Sequence, residues 1–387
     1  MNFRTMPTKR LLVLLAALAA VAVAGTVAVA ARGGSGTTPP PKPLASAIHD
    51  ALTAPAPVGV TARISFTNKL FPSGALTGQA GSALMSGASG RLWMNANGGR
   101  LELQSDAGDA QITWSDSRLS VYDASSNTVY AADLPQDASP SSGKHAPPSL
   151  ADVTRFLSQA SAHWTLSGAD PSNVAGQQAY TVTVSPKHDG GLLGRARLAW
   201  DALNGAPLDI AVYAQGSSSP VLDLKATDIA FGPVPQSDIA VAAPAGARVV
   251  DLSSQAKSGA GAHGTTLTGL QAVQAAAPFA VTAPDTLVGL PRRDVRLVGP
   301  ADGRSVVAVY GQGLGAVIVV ERAKDAQSAK ASGGLDALPS ISLGRVTAHE
   351  LSTQLGTILS WDEGGVSYVL AGSVPAAAAE AAARALG

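Results

Sequence analysis

Apolar and polar side chains alternate with a period of two through most of the stretch between Ala62 and Ala371, the pattern of strands with one buried face. Ala62, Ile64 and Phe66 alternate with Arg63, Ser65 and Thr67 and predict a first strand. Phe71-Pro72-Ser73-Gly74 reads as the turn after it, and Leu76–Leu84 as a weak second strand. Short strands follow at Arg91–Met94, Leu101–Gln104, Gln111–Trp114, Arg118–Tyr122 and Thr128–Ala132. Asn97-Gly98-Gly99, Asp106-Ala107-Gly108, Ser115-Asp116 and Ser125-Ser126-Asn127 separate them as turns. Evenly spaced short strands with such turns predict a meandering antiparallel sheet or barrel. Tyr180, Val182 and Val184 mark a further strand. Ala196, Leu198 and Trp200 then alternate with Arg195, Arg197 and Asp201, and Asn204-Gly205 turns the chain back. Leu208, Ile210, Val212 and Ala214 are expected on the buried face of the return strand, opposite Asp209 and Tyr213. After a turn at Gly216–Pro220, Leu222 and Leu224 alternate with Asp223 and Lys225. The apolar register then moves to Ile229 and Phe231, which predicts a bulge or a strand end near Ala226–Asp228.

Two stretches change to the helical period. Leu44, Ile48 and Leu52 recur every four residues, closed by Pro55 and Pro57. Val153, Phe156, Leu157 and Ala160 form one helical face behind Ser149, an expected N-cap, after a polar loop over Pro135–Ser149. Ser253–Gly264, SSQAKSGAGAHG, reads as a linker to a second unit. In that unit Thr268 and Gln271 predict a capping box for a helix stopped by Pro278. Strands are expected at Asp294–Val298, Ser305–Tyr310, Ala316–Glu321, Gly344–Leu351, Gln354–Asp362 and Val366–Ala371. A final helix opens at Pro375, with Glu380 and Arg384 spaced to pair.

The strand ending Asp228-Ile-Ala-Phe-Gly-Pro-Val234, then Ser237-Asp-Ile-Ala-Val241 and Pro244-Ala-Gly-Ala-Arg-Val-Val250, resembles the C-terminal half of the LolA/LolB/RseB-like superfamily of periplasmic lipoprotein carriers and sigma-factor regulators. Trp114-Ser-Asp-Ser-Arg-Leu-Ser-Val-Tyr-Asp123 with Thr128-Val-Tyr130 is similar to a hairpin of that family. The resemblance spans roughly residues 44–250 and rests on strands and turns rather than on a catalytic signature. A second resemblance, carried by Pro278-Phe-Ala-Val-Thr-Ala-Pro-Asp-Thr-Leu287 and Trp361–Val374, is to small extracytoplasmic domains beside sigma-factor regulators. The resemblance implies an α+β fold: an antiparallel half-barrel (LolA-like) with helices over its open face, plus a smaller C-terminal antiparallel sheet domain with flanking helices. The expected division is 1–32 export segment, 33–43 Pro/Gly-rich tether, 44–252 half-barrel, 253–264 linker and 265–387 C-terminal α+β domain.

Charge and composition narrow the function. Lys+Arg and Asp+Glu are 27 each, which argues against a nucleic-acid partner recognised by bulk charge. The chain has no cysteine, which excludes disulfides, a cysteine nucleophile and a lipid-modified N-terminal cysteine. Arg4, Lys9 and Arg10 precede an uncharged apolar run from Leu11 to Ala31. That layout fits a cleaved export signal, with Ala28-Val29-Ala30 as the small-residue site, and equally a retained single-pass anchor. Either places the remainder outside the cytoplasm.

Candidate chemistry is sparse. None of the six histidines stands at metal-ligand spacing, and no Gly-x-Ser-x-Gly elbow occurs. Gly311-Gln-Gly-Leu-Gly315 lacks the Lys-Ser/Thr of a phosphate loop and reads as a hairpin turn. The Asp201–Asn204 segment reads as a solvated turn. No enzyme activity, cofactor or metal is expected. Ile64, Phe66, Met94, Trp114, Trp200, Ile210 and Val212 are the candidates for one apolar face. From the residues alone that face is either a filled core or a cavity wall. The resemblance implies the wall of a cavity for lipid or lipoprotein acyl chains, or a regulator that binds a membrane-bound anti-sigma partner.

Overall fold

The computed structural model describes residues 37–70, 83–134, 147–188, 190–253, 267–299, 303–324, 335 and 338–387. The apolar run at the N-terminus, the turn expected at Phe71 and most of the Pro135–Ser149 loop lie outside these residues. So do nearly all of the Ser253–Gly264 linker and residues 76–82 of the expected second strand. No described helix is long and apolar enough to cross a membrane.

The first sheet is built from two meanders. Strands β1 (Gly59–Asn68), β2 (Ala88–Asn95), β3 (Gly98–Ser105), β4 (Gly108–Trp114), β5 (Arg118–Asp123) and β6 (Thr128–Asp133) form one. Strands β7 (Trp164–Leu166), β8 (Asp170–Val174), β9 (Gln177–Pro186), β10 (Leu193–Asp201), β11 (Pro207–Ala214) and β12 (Leu222–Phe231) form the other. Antiparallel pairing of β1 with β12 joins them, and β13 (Arg248–Asp251) adds to β6 in parallel. The order is β13-β6-β5-β4-β3-β2-β1-β12-β11-β10-β9-β7, with β8 paired to β9. The terminal strands β13 and β7 do not meet, so among the described residues the sheet is open. The bulge falls where the register shift predicts it: Arg63 pairs with Asp228 and Ile64 with Ala226, which leaves Thr227 as the extra residue.

The second sheet contains β14 (Leu267–Thr268), β15 (Thr286–Leu287), β16 (Leu290–Val298), β17 (Ser305–Tyr310), β18 (Val317–Ala323), β19 (Ser340–Ser342), β20 (Thr347–Thr353), β21 (Gly356–Glu363) and β22 (Val366–Gly372). It is ordered β14-β16-β17-β18-β22-β21-β20-β19, with β15 on β16. Helices Leu270–Ala276 and Ala376–Leu386 flank it and bury Val273, Ala379, Ala382 and Leu386 in a core with Leu297, Val319, Leu359 and Leu370. The architecture is α+β, mostly sheet. The two sheets share no strand. They meet where the Leu192 N–H donates to Ser373 Oγ at 2.9 Å and Gln354 Nε2 donates to Lys69 O at 3.2 Å.

Helix ends show local chemistry at work. The Leu150–Ala160 helix has a complete capping box, with the Asp152 N–H donating to Ser149 Oγ and the Ser149 N–H donating to Asp152 Oδ2. Glu380 and Arg384 pair at 2.6 Å, one turn apart. The box expected from Thr268 and Gln271 does not form. Gly269, at φ +93°, takes the N-cap position, and Thr268 is held in β14 by its pairing with Arg296.

Several expectations are overturned. Ala83 and Leu84 are helical (Ala83–Ser86), not part of a strand. Gly98 and Gly99 begin β3 rather than completing a turn. Phe156 is exposed, because only the Val153 edge of its helix is covered, the helix packing on the Leu44–Thr53 helix. Asp201 is buried rather than solvated; its Oδ1 accepts the N–H groups of Leu203 and Asn204, both at 2.9 Å. Along β11 Leu208 and Ala214 are buried as expected, but Asp209 at 4% and Tyr213 at 3% exposed are buried too, while Ile210 and Val212 are only half-buried. The cause lies on the adjacent strand. The Arg195 guanidinium stacks 3.9 Å from the Tyr213 ring centre, and Arg197 Nη2 donates to Asp209 Oδ2 at 2.8 Å. Arginine stems thus cover a polar face that alternation alone marks as solvent-facing.

Candidate functional site

Residues paired directly across antiparallel strands share a face, and residues two apart along a strand share it too. Trp114 pairs with Gly99, Gly99 with Met94, and Met94 with Val60. Val60, Ala62, Ile64 and Phe66 then run along one side of β1. Phe66 pairs with Leu224, Leu224 with Ile210, and Ile210 with Leu198. Val212 and Trp200 lie two residues from Ile210 and Leu198. The pairings therefore set every sequence-predicted site residue, Ile64, Phe66, Met94, Trp114, Trp200, Ile210 and Val212, on a single face of the first sheet.

Their surroundings differ. Ile64 sits in a packed cluster with Ala83, Leu103, Ala226 and Ile229, and Phe66 and Met94 rest on its margin. Trp200 lies beneath the Leu44–Thr53 helix, against Ala47, Val182 and Tyr180, whose ring centre is 6.2 Å away. That corner is pinned from the N-terminal side, where the Tyr180 hydroxyl donates to Pro40 O at 2.7 Å and Lys42 pairs with Asp50 at 2.6 Å. Ile64 and Trp200 are thus filled core positions. Trp114 is half-buried. Its indole lies across Gly99, where a Cβ would come within 2.2 Å of Trp114 Cζ2.

Between the Leu44–Thr53 helix, over β9 and β10, and the Ala83–Ser86 helix, against β1, β3 and β4, the row Phe66–Leu224–Ile210–Leu198 is incompletely covered. Leu224 is 39% exposed in its middle, with Phe66, Ile210 and Leu198 half-buried beside it. Leu224 and Leu198 were not among the sequence-predicted site residues, although both carry the same period-2 signal as Phe66 and Ile210.

The titratable groups lie elsewhere. On the other face of β11 and β12, burial and the neighbouring Asp209 charge push Asp223 up to about 6. In the second sheet Glu321 is fully buried, and burial pushes its carboxyl up to about 7. Its Oε2 accepts the Thr282 N–H at 2.9 Å while Oε1 has no partner among the described residues. Trp361 and Tyr368 stack nearby with ring centres 5.0 Å apart. Among the described residues no group of three or more His, Asp or Glu side chains converges as a metal site.

Comparison with known proteins gives structural likenesses only. No family model matches the chain, and no curated protein matches it. The crystal structure of MucB in complex with MucA(peri) is similar at 15% identity over 84% of this chain and 91% of that one, with a TM-score of 0.41. A putative outer membrane lipoprotein-sorting protein domain from Vibrio parahaemolyticus is similar at 10% identity over 47% of this chain and 88% of that one, with a TM-score of 0.19. An uncharacterized conserved protein from Thermus thermophilus is similar at 10% identity over 50% of this chain and 90% of that one, with a TM-score of 0.31.

Proposed function

We propose that this chain is a non-enzymatic lipid- or lipoprotein-binding protein acting outside the cytoplasm, with acyl chains lying along the apolar face centred on Leu224. One observation carries the reading: the continuous row Phe66–Leu224–Ile210–Leu198 is left partly open between two helices, with Leu224 39% exposed. An apolar row in the middle of a sheet is normally covered, and leaving it wet forfeits about 25 cal/mol per Å². An acyl chain would recover about 0.8 kcal/mol for each methylene buried there. The extracytoplasmic placement rests on the charged and apolar pattern from Arg4 to Ala31.

Native mass spectrometry of the full chain, isolated without detergent from an exporting host, tests this. A bound mass released by organic solvent, and lost in Leu224→Glu, is expected. A partly exposed position tolerates that change, so the variant should retain the wild-type unfolding midpoint. A clean unliganded mass, with no uptake of a fluorescent fatty acid by the folded wild type, would overturn the lipid reading in favour of a protein partner such as a membrane-bound regulator.

A further inference from the structure

The polar face of the first sheet holds a like-charge pair. Arg63 on β1 and Arg91 on β2 are direct cross-strand partners, which sets their Cβ atoms about 5 Å apart. Like charges in that relation destabilise a sheet unless something neutralises them. Among the described residues neither guanidinium makes a hydrogen bond or an ion pair. The nearby carboxylates do not serve. Glu102, across from Arg91, is held by Arg100 at 3.0 Å. Asp228, across from Arg63 at the bulge, makes no ion pair with it.

Both arginines line a cleft of about 550 Å³, together with Ser89, Gln104, Glu102 and Thr227. The Ser89 hydroxyl and the Gln104 amide have no hydrogen-bond partner among the described residues, so both are available as donors. Two fork-shaped cations with two neutral donors suit a tetrahedral oxyanion better than a single carboxylate. A phosphate offers enough acceptor oxygens to engage both forks at once and enough charge to cancel them.

We propose that the Arg63–Arg91 cleft is an oxyanion-binding site for a phosphate group, set on the sheet face opposite the apolar row. The same chemistry is offered by free phosphate and by a phosphate carried on a lipid headgroup, and both are tested. The probes are inorganic phosphate, followed by calorimetry at low ionic strength, and phosphatidic acid in phosphatidylcholine vesicles, followed by flotation, with the full chain in each case. Saturable one-to-one binding of phosphate, weakened about tenfold or more in Arg63→Ser and in Arg91→Ser, is the expected result. Vesicle binding with the same arginine dependence but no binding of free phosphate assigns the site to a headgroup and also supports it. Removing either arginine relieves the cross-strand repulsion, so both variants should melt no lower than wild type. A folded wild type that binds neither probe, or binds them equally in the variants, overturns the site. Leu224→Glu is expected to leave phosphate binding intact, so failure of this site and failure of the acyl-chain reading are read separately.

Discussion

Glu321→Gln is expected to change stability little at pH 5 and to raise it strongly at pH 8.5. Glu321 is fully buried on β18, with Oε2 on the Thr282 N–H and, among the described residues, Oε1 without a partner. Burial raises its carboxyl from the usual 4.5 to about 7. Between those values the folded chain holds a proton that the unfolded chain has released, so stability falls as pH rises through the window. The contribution is whole below pH 4.5 and gone above pH 7. At about 1.4 kcal/mol per pH unit, ionisation costs the folded state about 3 kcal/mol by pH 8.5. Glutamine keeps an oxygen for Thr282 and places an N–H₂ where the protonated acid has its O–H. It therefore lies close to wild type at pH 5 and escapes the penalty at pH 8.5. Urea unfolding at both pH values gives the difference between variant and wild type, which cancels every other titrating group. Hydrogen exchange in β17 and β18 peptides assigns the change to the second sheet. A variant whose advantage is the same at pH 5 and pH 8.5, or that loses stability at the higher pH, would refute the reasoning.

Other expectations follow from single contacts. Arg197→Ala leaves Asp209 buried without its ion partner and should cost about 2 kcal/mol, since Arg197 is partly solvated; Arg195→Ala, which uncovers the Tyr213 ring, should cost about 1 kcal/mol in the same urea titration. Ser149→Ala removes the capping box and should cost about 1 kcal/mol, seen as faster hydrogen exchange over Leu150–Ala160 before any global change. Gly99→Ala drives a Cβ into the Trp114 indole and should change its emission maximum while the Trp361 signal stays constant.

Much of the sheet structure is legible because period-2 alternation is a backbone property. Ser305–Tyr310 is a strand with the bounds its pattern predicts, and the bulge at Thr227 shows as a slip in apolar register. Alternation also put the candidate apolar residues on one face, because register preserves it across strands. It does not say which of them are filled. Trp200 is covered by the Leu44–Thr53 helix, far upstream in the chain, and no local pattern encodes that contact. Strand β8 is not legible in the sequence because Asp170-Pro171-Ser172-Asn173 has the composition of a turn, and pairing with β9 overrides it. The burial of Asp209 and Tyr213 was illegible for the same reason: the covering arginines come from a neighbouring strand. Arg63 and Arg91 each read alone as ordinary solvent-facing strand residues. Only their pairing makes them a site.

The junction of the two meanders has a consequence for how the chain is made. β1 lies in the middle of the finished sheet, yet its partner on one side is β12, with Val60 opposite Phe231. The first meander can assemble β1 to β6 early, but one flank of β1 stays unpaired until the chain is complete through Phe231. The far edge, β6, waits longer still for β13. Such long-range closures carry a large loop-entropy cost and slow folding. A chain emerging N-terminus first therefore presents an open β1 edge throughout most of its synthesis, the period in which it most needs a holding chaperone.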